Sequence, residues 1–166
     1  MRTLRFLLLM ACMALPSAAL AADTLRMATT IGPRDGGLLE YLEPLLLRET
    51  GIALTRVSAD TAGVLEHGKS CNVDVLLVNA PATEQKMVEE GLAVDRRQVM
   101  YRVEGDKSRQ SQYSVLTVNP AKCPKVKAAL AKKFTDWWVC VSTQNHIAAF
   151  TSEGRQVFVP NATNLR

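Results

Sequence analysis

The sequence predicts an α/β protein built on a mainly parallel sheet. Two observations carry this. Between residues 24 and 91, short β-compatible runs alternate three times with segments of helical periodicity, the pattern of consecutive strand–helix–strand units. One of those runs, Val73–Val78, reads VDVLLV and is nearly continuous in apolar residues, as in a strand covered on both faces.

The elements follow in order. Thr24–Ala28 is the first strand. Gly36-Gly37 opens a helix whose Leu38, Leu42, Leu45 and Leu46 share one face. Pro44 bends that helix and Thr50-Gly51 ends it. Ala53–Val57 is the second strand. Asp60 caps a short helix, Thr61–His67, which Gly68 closes. Pro81 starts a helix at its first turn, running through Glu90, and Gly91 stops it. Gln112–Val118 is a further strand. Pro124 opens a helix to about Val139 that carries Lys125, Lys127, Lys132 and Lys133, a basic face read as solvated. Ser142 or Thr143 caps a last helix to about Phe150, and Gln156–Val159 is a short extended end. The polar stretch 102–111, RVEGDKSRQS, reads as loop.

The first residues have a different purpose. Arg2 and Arg5 precede an apolar stretch, Phe6–Leu15, and Ala19-Leu20-Ala21 follows. Positive start, apolar middle and small-residue exit are the layout of a secretory signal peptide, residues 1–21. Cys12 behind Leu9-Met10-Ala11 loosely resembles a lipid-attachment box, but it lies inside the apolar region rather than at its end. Removing residues 1–21 takes away two arginines and lowers the net charge from +4 to +2. That mild balance excludes a nucleic-acid binder driven by charge. A hydrophobic content of 48% excludes an acid-rich disordered chain. Beyond residue 21 no apolar run approaches the ~20 residues that cross a bilayer. The expectation is a periplasmic, single-domain protein over residues 22–166.

Cofactor and enzyme chemistry find little support. Past residue 21 three cysteines remain, Cys71, Cys123 and Cys140, so at most one internal bridge forms. No C-x-x-C occurs and His67 and His146 stand alone, so neither a metal site nor a cofactor is expected. There is no G-x-S-x-G and no H-E-x-x-H. Gly32 and Gly37 match the glycines of a phosphate-binding loop, but Leu38-Leu39 stand where Lys-Ser/Thr would hold phosphate and Mg²⁺. No catalytic residue is assigned, and the chain is read as a non-enzyme. In open α/β sheets, ligands sit at the carboxyl ends of the strands. Those ends are the loops Thr29–Gly37 and Asn79–Ala82. Thr29 and Thr30 offer hydroxyls, Arg34 a charge, and the turn at Gly36-Gly37 a helix N-terminus that favours an anion. A helix cap with flexible glycines explains the same residues.

Longer motifs resemble a known family. LRMATT, seven residues, then LLEYLEPLLLRETGIAL is similar to the opening of periplasmic tungstate-binding proteins, the receptors of an oxyanion ABC importer. GKSCNVDVLLVNAPATEQKMVEEGLAVDRRQVMY, YSVLTVNPAKCP, TDWWVCVSTQNHIAAF and GRQVFVPNA resemble its later motifs, in order. Members have two lobes with the anion between them. Here the RRQVMY motif at 96–101 runs almost directly into VEGD at 103–106, so the chain reads as the first lobe alone. The resemblance therefore implies a three-layer α/β/α lobe of a periplasmic-binding-protein fold. Its mixed sheet has about five strands, with Gln112–Val118 returning antiparallel beside Val73–Val78.

It also implies a ligand and a site. The ligand is a small oxyanion such as tungstate or molybdate, and the residues are Thr29, Thr30, Arg34, Gly36, Gly37, Asn79 and Ala80. The loop departs from the family: TTIGPRDGGLL replaces a hydroxyl-rich pattern near TTTSTxxSGLL, and Asn79 stands where the family has histidine. Expected partners are an ABC permease or a sensor ectodomain. A weak homodimer is a further one, formed through an exposed patch of Ile31, Pro33 and Pro81 ringed by Arg34, Asp35 and Asn79. The alternative function is an interaction or regulatory protein that uses the lobe surface without a solute. The implied topology puts Cys71 and Cys123 at one end of the sheet and makes them the disulfide candidates. Cys140, past a helix of ~15 residues and so ~22 Å away, is the odd thiol.

Overall fold

Six strands form one mixed sheet in the order β2-β1-β3-β5-β4-β6, described in a computed structural model over residues 23–32, 35–104 and 109–163. The expected signal peptide, Cys12, Pro33 and Arg34 lie outside the described residues. The strands are β1 Asp23–Thr29, β2 Ile52–Ser58, β3 Val75–Val78, β4 Ala93–Glu104, β5 Arg109–Val118 and β6 Phe158–Pro160. The helices are α1 Leu38–Thr50, α2 Thr61–Lys69, α3 Pro81–Glu89, α4 Ala128–Trp138 and α5 Val141–Ala149. β1 pairs parallel with β2 and β3. β5 lies antiparallel between β3 and β4, and β6 pairs antiparallel with the outer edge of β4.

Each face of the sheet carries its own apolar layer. Leu38, Leu39, Leu42 and Leu46 of α1 pack with Phe134 and Trp138 of α4 and Ile147 of α5 on one face. Val64 and Leu65 of α2 and Met87 of α3 pack on the other. All four residues of β3 are buried, which is why its sequence is apolar without alternation. Helix ends follow local chemistry. Gly51 closes α1 in the left-handed region at φ 73°, its N–H bonded to the Leu47 carbonyl. Asp60 caps α2 by accepting the Gly63 N–H at 2.8 Å.

The structure corrects the sequence reading in several places. The sheet has six strands rather than five, and two of them, β5 and β6, run against the others. The stretch read as loop contributes to a long hairpin instead, because β4 reaches Glu104 and β5 begins at Arg109. Two register shifts and a left-handed Asp95 at φ 53° break the alternation of β4 and hid it. α4 begins at Ala128 rather than Pro124, since the Lys127 N–H is given to the Asp74 carboxylate. Cys140, not Ser142 or Thr143, caps α5, its Sγ accepting the Thr143 N–H at 3.5 Å. The lysines are not all free in solvent: Lys127 and Lys133 donate to the Thr24 and Thr50 carbonyls, and Lys132 pairs with Asp136. Ile31 is only 2% exposed and packs with α1 and α4, so it adds nothing to a surface patch.

Cys71, just beyond α2, and Cys123, in the turn after β5, form a disulfide with Cα atoms 5.4 Å apart; Cys140 is free. The bridge closes a chain loop of 52 residues that holds β3, α3 and the β4–β5 hairpin. Constraining so long a loop in the unfolded chain contributes about 2–4 kcal/mol. Replacing both Cys71 and Cys123 by serine should lower the unfolding free energy by about that amount. Denaturant titration of the two proteins measures it.

Candidate functional site

The carboxyl ends of β1, β2 and β3 meet at one end of the sheet, together with the N-termini of α1, α2 and α3. Parallel pairing makes this unavoidable, because each crossover helix starts where its strand ends. The chain past β1 is tied down at once. The Thr30 N–H donates to the Leu77 carbonyl at 3.2 Å, and the Thr29 carbonyl accepts from Ala59. Thr29 is fully buried, and its hydroxyl oxygen accepts the Ile31 N–H at 3.0 Å. The Ser58 hydroxyl at the end of β2 donates to the Ile31 carbonyl at 2.9 Å.

Thr30 and Asn79 are brought together across the ends of β1 and β3. The Thr30 hydroxyl donates to Asn79 Oδ1 at 2.9 Å. Asn79 is partly exposed, and among the described residues its Nδ2 makes no hydrogen bond. Gly36 and Gly37, at φ 75° and 84°, carry the chain into α1 through the left-handed region. A side chain at Gly36 would meet Ser152, with its Cβ 2.5 Å from the hydroxyl oxygen, so that corner has no room for one. The N-cap Gly37 has no side chain to bond the first amides of α1, but Glu40 in the first turn takes its own N–H with its carboxylate.

One expected donor, the Ala80 amide, and the Gly32 amide of the same loop are already used. The Ala80 N–H donates to Glu84 Oε1 at 2.9 Å. Glu84 is fully buried on α3, and Arg96 of β4 holds its other oxygen through Nε at 2.8 Å and Nη2 at 2.7 Å. Within the loop, the Gly32 N–H donates to Asp35 Oδ2 at 2.7 Å, while Arg102 of β4 pairs with Asp35 Oδ1 at 2.8 Å. Glu40, in the first turn of α1, is bonded by Arg56, whose guanidinium holds the Glu40 carboxyl below its ordinary range. Carboxylates therefore flank the start of α1, each with its own arginine.

Sequence reasoning missed Glu84, Arg96, Arg102, Ser58 and Ser152. Glu84 carried a signal: an acid four residues after Ala80, at the start of a helix, is placed to bond the amide that opens it. Arg102 and Ser152 carried none, because long-range pairing alone brings them here.

Clefts elsewhere are less suited to a ligand of this kind. One of about 300 Å³ is lined by Arg96, Arg97, Gln98, Val139 and Thr163, but Arg96 is committed to Glu84 and Arg97 to Asp95 and Asp136. Among the described residues no group of three His, Cys, Asp or Glu side chains could hold a metal ion. Nor is any helix among them long and apolar enough to cross a membrane.

The three-layer lobe, with β5 antiparallel beside β3 and its open end at the strand termini, has the periplasmic-binding-protein fold. It matches the tungstate-binding protein TupA of Desulfovibrio alaskensis G20 with a TM-score of 0.80 and 26% identity, over 85% of this chain and 100% of that one. In sequence the chain is a relative of the tungstate-binding proteins. It is 40% identical to TupA of Campylobacter jejuni over 80 residues, 46% of this chain and 30% of that protein. It is also 40% identical to TupA of Peptoclostridium acidaminophilum over 81 residues, 49% of this chain and 28% of that protein. The chain thus matches less than a third of the length of these curated relatives. No protein-family model matches it.

Proposed function

We propose that this chain is an exported, single-lobed oxyanion-binding module that works beside an ABC importer. It would hold a small tetrahedral anion such as tungstate or molybdate at the carboxyl ends of its strands. The observation that carries this reading is the Thr30–Asn79 pair on neighbouring strand ends, in a chain 40% identical over 80 residues to a tungstate-binding protein. The relatives are named as binding proteins, which supports a non-enzymatic role. Binding is weak unless a partner completes the site. With the Gly32 and Ala80 N–H groups spent inside the chain, two donors are lost, each contributing about 1.5–3 kcal/mol to a charged ligand. A permease, a sensor ectodomain or a second copy of the chain would supply the missing wall.

The same spent donors favour a second reading. The lobe would keep the surface of a receptor and use it to contact another periplasmic protein, with no solute in between.

Thermal unfolding with tungstate, molybdate, sulfate or phosphate separates the two. A bound anion stabilises the folded state by mass action. Tungstate should raise the Tm in a concentration-dependent way, and Thr30→Ala should weaken binding by several-fold. No shift with any of the four anions at millimolar concentration would leave the interaction reading in place.

A further inference from the structure

We propose that the outer edge of β2, Ile52–Ser58, seats a second copy of this chain, joined antiparallel so that the two sheets become one. The inference stands apart from the oxyanion reading, because it uses the side of the sheet and not the ends of its strands. β2 stands first in the strand order, and among the described residues β1 alone pairs with it. The Ala59 N–H donates to the Thr29 carbonyl, which fixes the alternation. Ala53, Thr55 and Val57 turn their main-chain groups to β1, and Leu54 and Arg56 turn theirs outward. Among the described residues those outward N–H and C=O groups have no partner. Such an edge is a template for another strand, and it is ordinarily blunted by a proline, a bulge, an outward lysine or shortness. β2 has none of these. It runs seven residues in unbroken register with β1, and its one charged side chain, Arg56, is folded back onto Glu40 and Glu43 of α1.

The strand is its own complement. A two-fold axis through Thr55 sets Ile52 opposite Ser58 and Leu54 opposite Arg56, so the whole strand pairs and no charge faces its like. An axis at Arg56 would oppose two arginines and shorten the ladder, and an axis at Leu54 would shorten it as well. With the axis at Thr55, the outward groups of Leu54 exchange hydrogen bonds in both directions with those of Arg56 from the second copy. Two flanking features lie along the same edge. Leu47, 45% exposed, is one turn from Glu43 on the flank of α1 that Arg56 reaches, and the two-fold turns it toward the same flank of the second copy. On the other face of the sheet a cleft of about 240 Å³ opens beside Thr55 and Val57, with His67 and Val73 also lining it. Arg56 with Glu40 and Glu43 leaves one net negative charge on each copy, which opposes the contact weakly at physiological salt. The strand ends of the two copies would point in opposite directions and stay open.

Thr55 is exposed and lies on the proposed axis, so a charge placed there reads the contact without entering the core. Sedimentation of the wild-type chain from micromolar to millimolar concentration should show a reversible dimer. Thr55→Lys and Thr55→Glu, each shown to be folded by circular dichroism, should each associate about tenfold more weakly or not at all, because like charges then face each other across the axis. Mixed in equal amounts, the two variants should recover the wild-type association as a heterodimer. A dimer that persists in both variants places the contact on another face and overturns the proposal. So does a wild type that stays monomeric throughout the range, and so does a mixture that associates no better than its parts.

Discussion

Replacing Asp74 by alanine should destabilise the protein by about 3–5 kcal/mol, the range for breaking a buried ion pair from one side. Asp74 is fully buried between β1, β3 and the start of α4. It accepts the Arg26 N–H at 2.8 Å, Arg26 Nε at 3.1 Å, Arg26 Nη2 at 2.9 Å and the Lys127 N–H at 3.1 Å. Alanine would leave two main-chain donors and one guanidinium without an acceptor. Arg26 is 37% exposed and recovers part of its loss from water, so the lower half of the range is expected. Burial works against the charged Asp74, but the bonds from the Arg26 side chain and amide and the Lys127 amide outweigh it and hold the carboxyl below its ordinary value. A lowered value means the stabilisation is full above the unfolded carboxyl's range and is lost as pH falls through the folded one. Urea unfolding of wild type and Asp74→Asn between pH 7 and pH 3 should show the wild type losing more of its stability on acidification.

A comparable loss, about 3–5 kcal/mol, is expected for Glu84→Ala, this time with a local consequence at the site. Glu84 joins the N-terminus of α3 to β4, through the Ala80 amide on one oxygen and Arg96 on the other. Without it, Ala80 and the neighbouring Asn79 lose the contact that fixes where β3 ends. Hydrogen exchange at the Ala80 amide should accelerate in Glu84→Ala beyond what the change in global stability explains. Glu84→Gln retains an acceptor for that amide and should restore most of its protection. Equal exchange rates in the two variants would show that Glu84 does not position the loop.

Strands and helices whose signal is local were legible in the sequence. The apolar run Val73–Val78, the leucine face of α1, Gly51 and Asp60 each carry their reason within a few residues, and the structure places them accordingly, with the strand itself limited to Val75–Val78. β4 was not legible, because its bulged strand puts Arg96 and Arg97 where apolar residues would have marked it, and their partners Glu84, Asp95 and Asp136 include residues far along the chain. The site divides in the same way. Thr29, Thr30 and Asn79 lie next to strand ends that the pattern predicts. Whether a donor there is available depends on partners as well: Glu84, four residues on, is placed to take the Ala80 N–H, whereas nothing in the sequence shows that Arg102 reaches Asp35. Ile31 shows the limit from the other direction. An apolar residue in a glycine-rich turn reads as surface, yet the turn folds it under α1 and into the core.

The hairpin of β4 and β5 bears on how quickly a ligand proposed for this end of the sheet would exchange. The two strands are bonded to each other from Ala93 and Val118 at one end to Glu104 and Arg109 at the other. Two separate strands leaving a domain can twist independently and act as a hinge, whereas strands laced into one ladder bend together as a stiff arm. A domain that closes by hinge motion traps its cargo, and reopening then limits how fast the cargo leaves. A rigid arm provides no such latch. Cargo on this end of the sheet would come and go at rates set by contact strength and diffusion alone. If the proposed anion site is real, such a lobe would be suited to fast exchange and hand-over rather than to long capture.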